Sequence, residues 1–193
     1  MRLLFGLLLL STLLACQKSE YHQMATRELE SGVRHDSLFL GISFGMTPEE
    51  FFAHCWELNK KGMMRQSNQN NAVYHEIDST TTRKRMAMEF YPTFKEGDGI
   101  VEMPVIFKYV GWAPWNKDLD RDKLLLDTKN LIEKWYGPGF IPFGEEKNLN
   151  AWVRVDGNRR VLVLPRDETT VKVTMTDLTA DISQELRDKA GLK

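Results

Sequence analysis

The chain has 193 residues, of which 42% are hydrophobic and 27% are charged, a mixture typical of a folded domain and unlike a disordered chain. The 26 Lys and Arg residues balance 27 Asp and Glu residues, so the formal charge of −1 provides no basic surface for nucleic acid. Two cysteines, without a CxxC pair or an HExxH motif, exclude a disulfide framework and give no basis for a zinc site.

The first sixteen residues, MRLLFGLLLLSTLLAC, have the pattern of an export signal. Arg2 provides a positive charge, and the apolar run from Leu3 to Leu14 is shorter than the roughly 20 residues that a helix needs to span a bilayer. The ending Leu-Leu-Ala-Cys16 resembles the lipobox of bacterial lipoproteins. That resemblance implies cleavage before Cys16, a diacylglycerol thioether on its sulfur, and an acyl chain such as palmitate on the new amino terminus. An ordinary signal peptide with a chance cysteine at its boundary is the alternative.

Two acyl chains attach a protein stably to a membrane, whereas one chain binds only marginally. Gln17 follows Cys16, where an Asp would resemble an inner-membrane retention signal. We therefore expect a membrane protein attached through its lipid anchor, in the outer membrane of a diderm bacterium and facing the periplasm or the exterior. An envelope protein is a further candidate partner, and we predict no nucleic-acid partner and no cofactor.

The predicted organisation has three parts: a signal peptide over 1–15, a lipid-anchored Cys and flexible tether over 16–36, and a single domain over 37–193. Thr47 begins a capping box that predicts a first helix up to Gly62. Apolar residues at helical spacing indicate its buried stripe, namely Phe51, Phe52, Cys55, Trp56 and Leu58.

The rest of the domain alternates between strands and helices. Strands are predicted over 72–78, 84–91, 101–110, 151–155, 159–164 and 170–175, with a second helix over 119–136 and a tail helix over 181–189. This order predicts an α+β fold: an antiparallel sheet with helices on one face, built from two successive helix-plus-three-strand units.

The segment GISFGMTPEEF from Gly41 to Phe51 looks like the helix entry of the SmpA/OmlA small outer-membrane lipoproteins and the related β-lactamase-inhibitor-like folds. The resemblance covers residues 41–58 and implies small helices on an antiparallel sheet. After the helix, that family usually has a Leu-Gly-x-Pro turn, where this chain has Leu58-Asn-Lys-Lys-Gly62.

Two groups of chemically interesting residues are interpreted as structural. Asp118, Asp120 and Asp122 resemble the start of a calcium loop, but the pattern then fails, and acidic residues are favoured at a helix N-terminus. Cys55 follows His54, but adjacent helical residues point about 100° apart, so His54 is a poor base for it, and His75 on a predicted strand is the other candidate base. Cys55 itself lies on the apolar stripe, where a free cysteine is usually buried and structural. We predict no catalytic residue and no metal ligand.

Trp112 and Trp115 lie in a connection that also contains Gly111 and Pro114. Large apolar residues in such a loop either cover the core or meet a partner, which makes Trp112 and Trp115 a candidate partner surface.

The function expected from the sequence is a cell-envelope lipoprotein with a non-enzymatic binding or scaffolding domain. A membrane-anchored hydrolase whose site assembles in space is one alternative, and a purely structural envelope protein is another.

We predict that Cys16 carries the anchor. The Cys16→Ser chain should leave the membrane and detergent-phase fractions, because no acyl chain can attach to the serine hydroxyl as a thioether. Fractionation followed by immunoblotting measures this. Unchanged partitioning of a Cys16→Ser chain whose signal has been removed would contradict the prediction.

Overall fold

The computed structural model describes residues 20–68, 71–77, 82, 84–143 and 151–180. This part contains three α-helices: α1 (Glu20–Glu30), α2 (Pro48–Lys60) and α3 (Arg121–Tyr136). It also contains nine strands: β1 (Arg65–Gln66), β2 (Val73–Ile77), β3 (Met86–Phe90), β4 (Thr93–Lys95), β5 (Gly99–Tyr109), β6 (Ile141–Phe143), β7 (Ala151–Asp156), β8 (Arg159–Pro165) and β9 (Thr170–Asp177). The predicted signal peptide, Cys16 and the tail helix over 181–189 lie outside the described residues.

The strands form one antiparallel sheet in the order β1-β2-β3-β5-β9-β8-β7-β6, with β4 paired to β5. The α+β class predicted from the sequence is confirmed. Helix α2 precedes the long strands β2, β3 and β5, and helix α3 precedes β7, β8 and β9. The two units join where β5 pairs with β9, from Glu102↔Thr176 to Lys108↔Thr170.

One face of the sheet carries most of the hydrophobic core, and we call it the core face. On it, β5 and β9 contribute three buried pairs: Met103↔Met175, Val105↔Val173 and Phe107↔Val171. Helices α2 and α3 pack against this face through the buried residues Phe51, Leu58, Leu124, Leu131 and Ile132. These two helices therefore lie on the same face of the sheet, as the sequence predicted for the two units.

Helix α1 corrects the predicted domain boundary. Residues 20–30 are a helix with Tyr21 and Ala25 buried, packed against Val153 and Val155 of β7. Arg154 lies between these two valines and pairs with Val161, which is on the core face. Because side chains alternate along a strand, Val153 and Val155 lie on the opposite face. The flexible tether predicted over 16–36 is thus wrong for residues 20–36, and one helix covers the other face of the sheet.

Helix α2 buries fewer of its apolar residues than the sequence predicted. Phe51 and Leu58 are buried, but the Phe52 and Trp56 side chains are 51% and 61% exposed. Positions 51, 55 and 58 follow one helical face, whereas 52 and 56 follow the neighbouring one. Helix α2 therefore presents only a narrow strip to the core.

The β7–β8 turn holds the segment that leads from α1 to α2. Gly157 has a φ of +57°, and a Cβ there would lie 2.3 Å from the Val33 carbonyl oxygen. The buried Asn158 side chain accepts a hydrogen bond from the His35 N–H at 2.6 Å and donates one to Asp36 Oδ1 at 3.0 Å. The backbone at residues 33–36 is thereby fixed against the turn.

No helix in the described ranges is both long enough and apolar enough to cross a bilayer.

Replacing Gly157 with Ala should destabilise the fold more than replacing Gly62 with Ala. Both glycines have positive φ, at +57° and +70°, so both substitutions cost about 1–2 kcal/mol for a left-handed residue. Only the alanine methyl group at position 157 would contact the backbone, since nothing lies within 4 Å of a Cβ at Gly62. We expect a further loss of about 1–3 kcal/mol for Gly157→Ala, measured by urea unfolding. Equal losses in the two variants would show that the close approach to Val33 is unimportant.

Candidate functional site

A short hairpin over residues 37–43 crosses the core face. Ser37 and Ser43 form a β-bridge, and the Ile42 N–H donates to the Phe39 carbonyl at 2.9 Å. Between them, Leu40 and Gly41 have φ values of +52° and +77°. Two consecutive positive φ angles make a type I′ turn, in which Asn-Gly is the favoured pair. Leucine at the first of these positions is strained.

Helix α2 holds the strained turn in place. His54 Nε2 lies 2.6 Å from the Leu40 carbonyl oxygen, and because a carbonyl only accepts, Nε2 carries the proton. A Cβ at Gly41 would lie 3.0 Å from the same imidazole ring. The histidine that the sequence placed beside Cys55 therefore supports the hairpin.

A cavity of about 770 Å³ lies beside this hairpin, within the size range of small-molecule sites. Its wall is formed by the hairpin, the end of α3, and strands β2 and β3. Seven of the fifteen lining residues have apolar side chains: Leu38, Phe39, Leu40, Met63, Ile77, Met88 and Trp135. Phe39 anchors the wall, with its ring centroid 4.9 Å from that of Phe90 and 6.0 Å from that of Trp135.

Charged groups at one side of the cavity are already paired. Asp156 accepts from Arg159 at 2.9 Å and lies 3.2 Å from Arg154 and 3.4 Å from His35 Nε2. The Arg159 guanidinium also stacks on the Tyr136 ring at 4.0 Å and is 5% exposed. With two guanidiniums against it, the Asp156 carboxylate is held as a structural anion.

Tyr136 joins the same structural group. Its hydroxyl donates to the Leu38 carbonyl at 2.7 Å, which ties the end of α3 to the hairpin. Burial raises the pKa of the Tyr136 hydroxyl, so it remains a neutral donor.

His75 and Glu76 provide the polar groups at the other side. His75 Nδ1 donates to the Met63 carbonyl at 2.6 Å, so a neutral ring presents Nε2 as an acceptor. Glu76 accepts from Arg85 at 2.8 Å and from the Tyr74 hydroxyl at 3.0 Å, and the hydrogen bond from Arg85 is the main reason that its pKa is lowered. The arrangement offers one imidazole acceptor next to a paired carboxylate.

Asp120 and Asp122 lie at the start of α3, as the capping interpretation predicted, and Asp118 lies in the 3-10 turn just before it. Asp120 is the N-cap and accepts from the Lys123 N–H at 2.8 Å, while Lys123 Nζ lies 3.3 Å from Asp118 and 3.5 Å from Asp120. Asp122 pairs with Arg121 at 3.0 Å. Within the described ranges, no group of three or more His, Cys, Asp or Glu side chains could hold a metal ion.

The exposure of Trp112 and Trp115 decides whether their loop covers the core or is open to a partner. Trp115 is 85% exposed and Trp112 is 39% exposed. Covering the core is therefore wrong for Trp115, and both side chains are available to a partner.

The cavity residues were missed by the sequence analysis. Leu40 precedes a glycine in a run that reads as a strand, SLFLGIS, and Gly41 is the only local sign of the turn. Trp135 lies in the second helix predicted over 119–136, but nothing local to it indicates a cavity.

Comparison with known proteins gives no family. No protein-family model matches the chain, and no curated protein matches it. Among solved structures, the chain is similar to a DUF4309 family protein (YjgB) from Bacillus subtilis, at 12% identity over 80% of this chain and 93% of that chain, with a TM-score of 0.33. A TM-score this low carries no argument about function, which must rest on the residues described above.

Cys55 should react slowly with thiol reagents in the folded protein. It is half-buried, and desolvation raises the pKa of its thiol to about 11. At pH 8, about one Cys55 in a thousand is then a thiolate, which is the reactive form. Labelling with iodoacetamide, followed by mass spectrometry of the Cys55 peptide, should show a rate at least tenfold below that in urea. Equal rates in the two conditions would contradict a structural role.

Proposed function

We propose that this chain is an envelope lipoprotein whose domain binds a small amphipathic ligand in the cavity beside the 37–43 hairpin. The observation that carries the proposal is the strained turn at Leu40, which directs apolar side chains to the wall of a cavity of about 770 Å³. Backbone strain that a fold maintains is often associated with function. The lipobox-like ending at Cys16 supports the location.

The lining indicates the chemistry of the ligand. Half of the lining side chains are apolar, so the body of the ligand should be apolar. His75 Nε2 offers an acceptor, and His35 lies beside the Asp156–Arg159 pair. A ligand with an apolar body and a polar end matches these groups.

Binding fits this site better than hydrolysis. Nucleophilic catalysis needs a nucleophile next to a base that a third group orients. Burial raises the pKa of the Cys55 thiol and so disfavours the nucleophilic thiolate, and Asp156 is occupied by two arginines. The Met63 carbonyl orients the His75 ring, but among the described residues no hydroxyl or thiol is hydrogen-bonded to it.

The test uses 1-anilinonaphthalene-8-sulfonate, an amphipathic fluorescent probe, with the variant Leu40→Asn. Asparagine suits a positive φ, so the turn and the fold should be kept while one apolar wall residue is lost. We expect roughly tenfold weaker probe binding, since losing one leucine contact removes on the order of 1.5 kcal/mol. Fluorescence titration measures the affinity, and thermal melting checks the fold.

The matched control is Leu126→Asn, on α3. Leu126 is 56% exposed and does not line the cavity. It should leave probe binding unchanged. Probe binding that is equally strong in the wild type, Leu40→Asn and Leu126→Asn would exclude the cavity as the binding site.

A further inference from the structure

The register of the sheet brings several chain segments to one of its ends. Four pairs share this end, which we call the anchor end: Phe143↔Ala151, Pro165↔Val171, Lys108↔Thr170 and Met86↔Tyr109. Tyr109 is the last residue of β5. The loop that contains Trp112 and Trp115 therefore begins at the anchor end.

Helix α1 begins at the same end. The Tyr21 ring lies 5.1 Å from the Phe143 ring in edge-to-face contact, whereas Glu28 accepts from the Gly157 N–H at 3.3 Å, at the opposite end of β7. Helix α1 thus runs away from the anchor end. Cys16 precedes Glu20 by four residues, which reach at most about 14 Å when fully extended. An anchor on Cys16 would hold the anchor end close to the bilayer.

The tryptophan loop has a defined backbone on this end. The Val110 N–H donates to the Arg85 carbonyl at 2.9 Å, and the Asn116 N–H donates to the Ala113 carbonyl at 2.9 Å. Asn116 also caps the short 3-10 turn Lys117–Leu119. With 85% of its surface exposed, the Trp115 indole stands away from the domain.

The chemistry of an exposed indole matches the surface of a bilayer. Tryptophan has an apolar ring and an N–H donor, and it is enriched where hydrocarbon meets headgroups. Two cations beside the loop are paired, since Lys123 lies against Asp118 and Asp120, and Arg121 lies against Asp122. Contact with lipid would therefore depend more on the indoles than on attraction to anionic headgroups.

We propose that the domain seats its anchor end on the membrane, with Trp115, and Trp112 beside it, inserted among the lipid headgroups. This inference rests on the proposed lipid anchor at Cys16. The domain would then have a fixed orientation on the bilayer and would not move freely on a tether.

The test uses the mature lipidated protein in phosphatidylcholine vesicles whose acyl chains are brominated near the headgroup. Bromine quenches tryptophan fluorescence on contact. The chain has five tryptophans, so the Trp115 signal is taken as the difference between the wild type and Trp115→Phe. We expect at least half of this difference signal to be quenched, with little change between low and high salt.

Trp56→Phe is the matched control. Trp56 is 61% exposed and lies beside Val73, the end of β2 that points away from the anchor end. Its difference signal should not be quenched. Both phenylalanine variants keep an aromatic ring, so melting temperatures should stay within a few degrees of the wild type.

The outcomes separate the two proposals. Acyl groups on the Cys16 peptide, seen by mass spectrometry, together with an unquenched Trp115 signal, would overturn the seating and leave the anchor intact. Crosslinking of an envelope protein at Trp115 without quenching would likewise overturn the seating in favour of a protein partner. A mature Cys16 without acyl groups would overturn the anchor, and the seating with it.

Discussion

The pairing of β5 with β9 is the constraint on which the rest of the structure depends. Seven registered pairs join the two helix-plus-strand units along this seam. Because side chains alternate between faces, a slip of one residue would move Met103, Val105 and Phe107 away from the core face. The same register decides where α2 and α3 pack, and it brings the tryptophan loop and the start of α1 to one end of the sheet.

Patterns that repeat over many residues predicted the structure well. The alternation in β5 and the helical stripe of α3 each involve several buried residues, so their signals are strong. Helix α1 was taken for a tether because its buried side consists of little more than Tyr21 and Ala25. Strands β4 and β6 have three residues each, too few to show a period. Phe52 and Trp56 were placed in the core because helical spacing does not show how wide the covering surface is.

The candidate site was less predictable than the fold, because its parts come together only in three dimensions. Asp120 caps its own helix three residues away, so the local sequence was sufficient. The cavity combines the hairpin with β2, β3 and the end of α3, which lie far apart in the chain. Leu40 breaks a local rule, since its turn would be less strained with asparagine. A sequence-level inconsistency of this kind is expected at functional sites.

The charged side of the cavity and the anchor end lie at different positions along the sheet. The charged lining residues Asp156 and Arg159 flank the β7–β8 turn, level with Asp177 of β9, whereas the anchor end is level with Thr170. Seven residue steps of extended strand separate these levels, a distance of about 23 Å. With the anchor end on the bilayer, the charged side of the cavity would face the aqueous compartment. A ligand with a polar end would then approach from the aqueous side, while the indoles fix the height of the charged groups above the membrane.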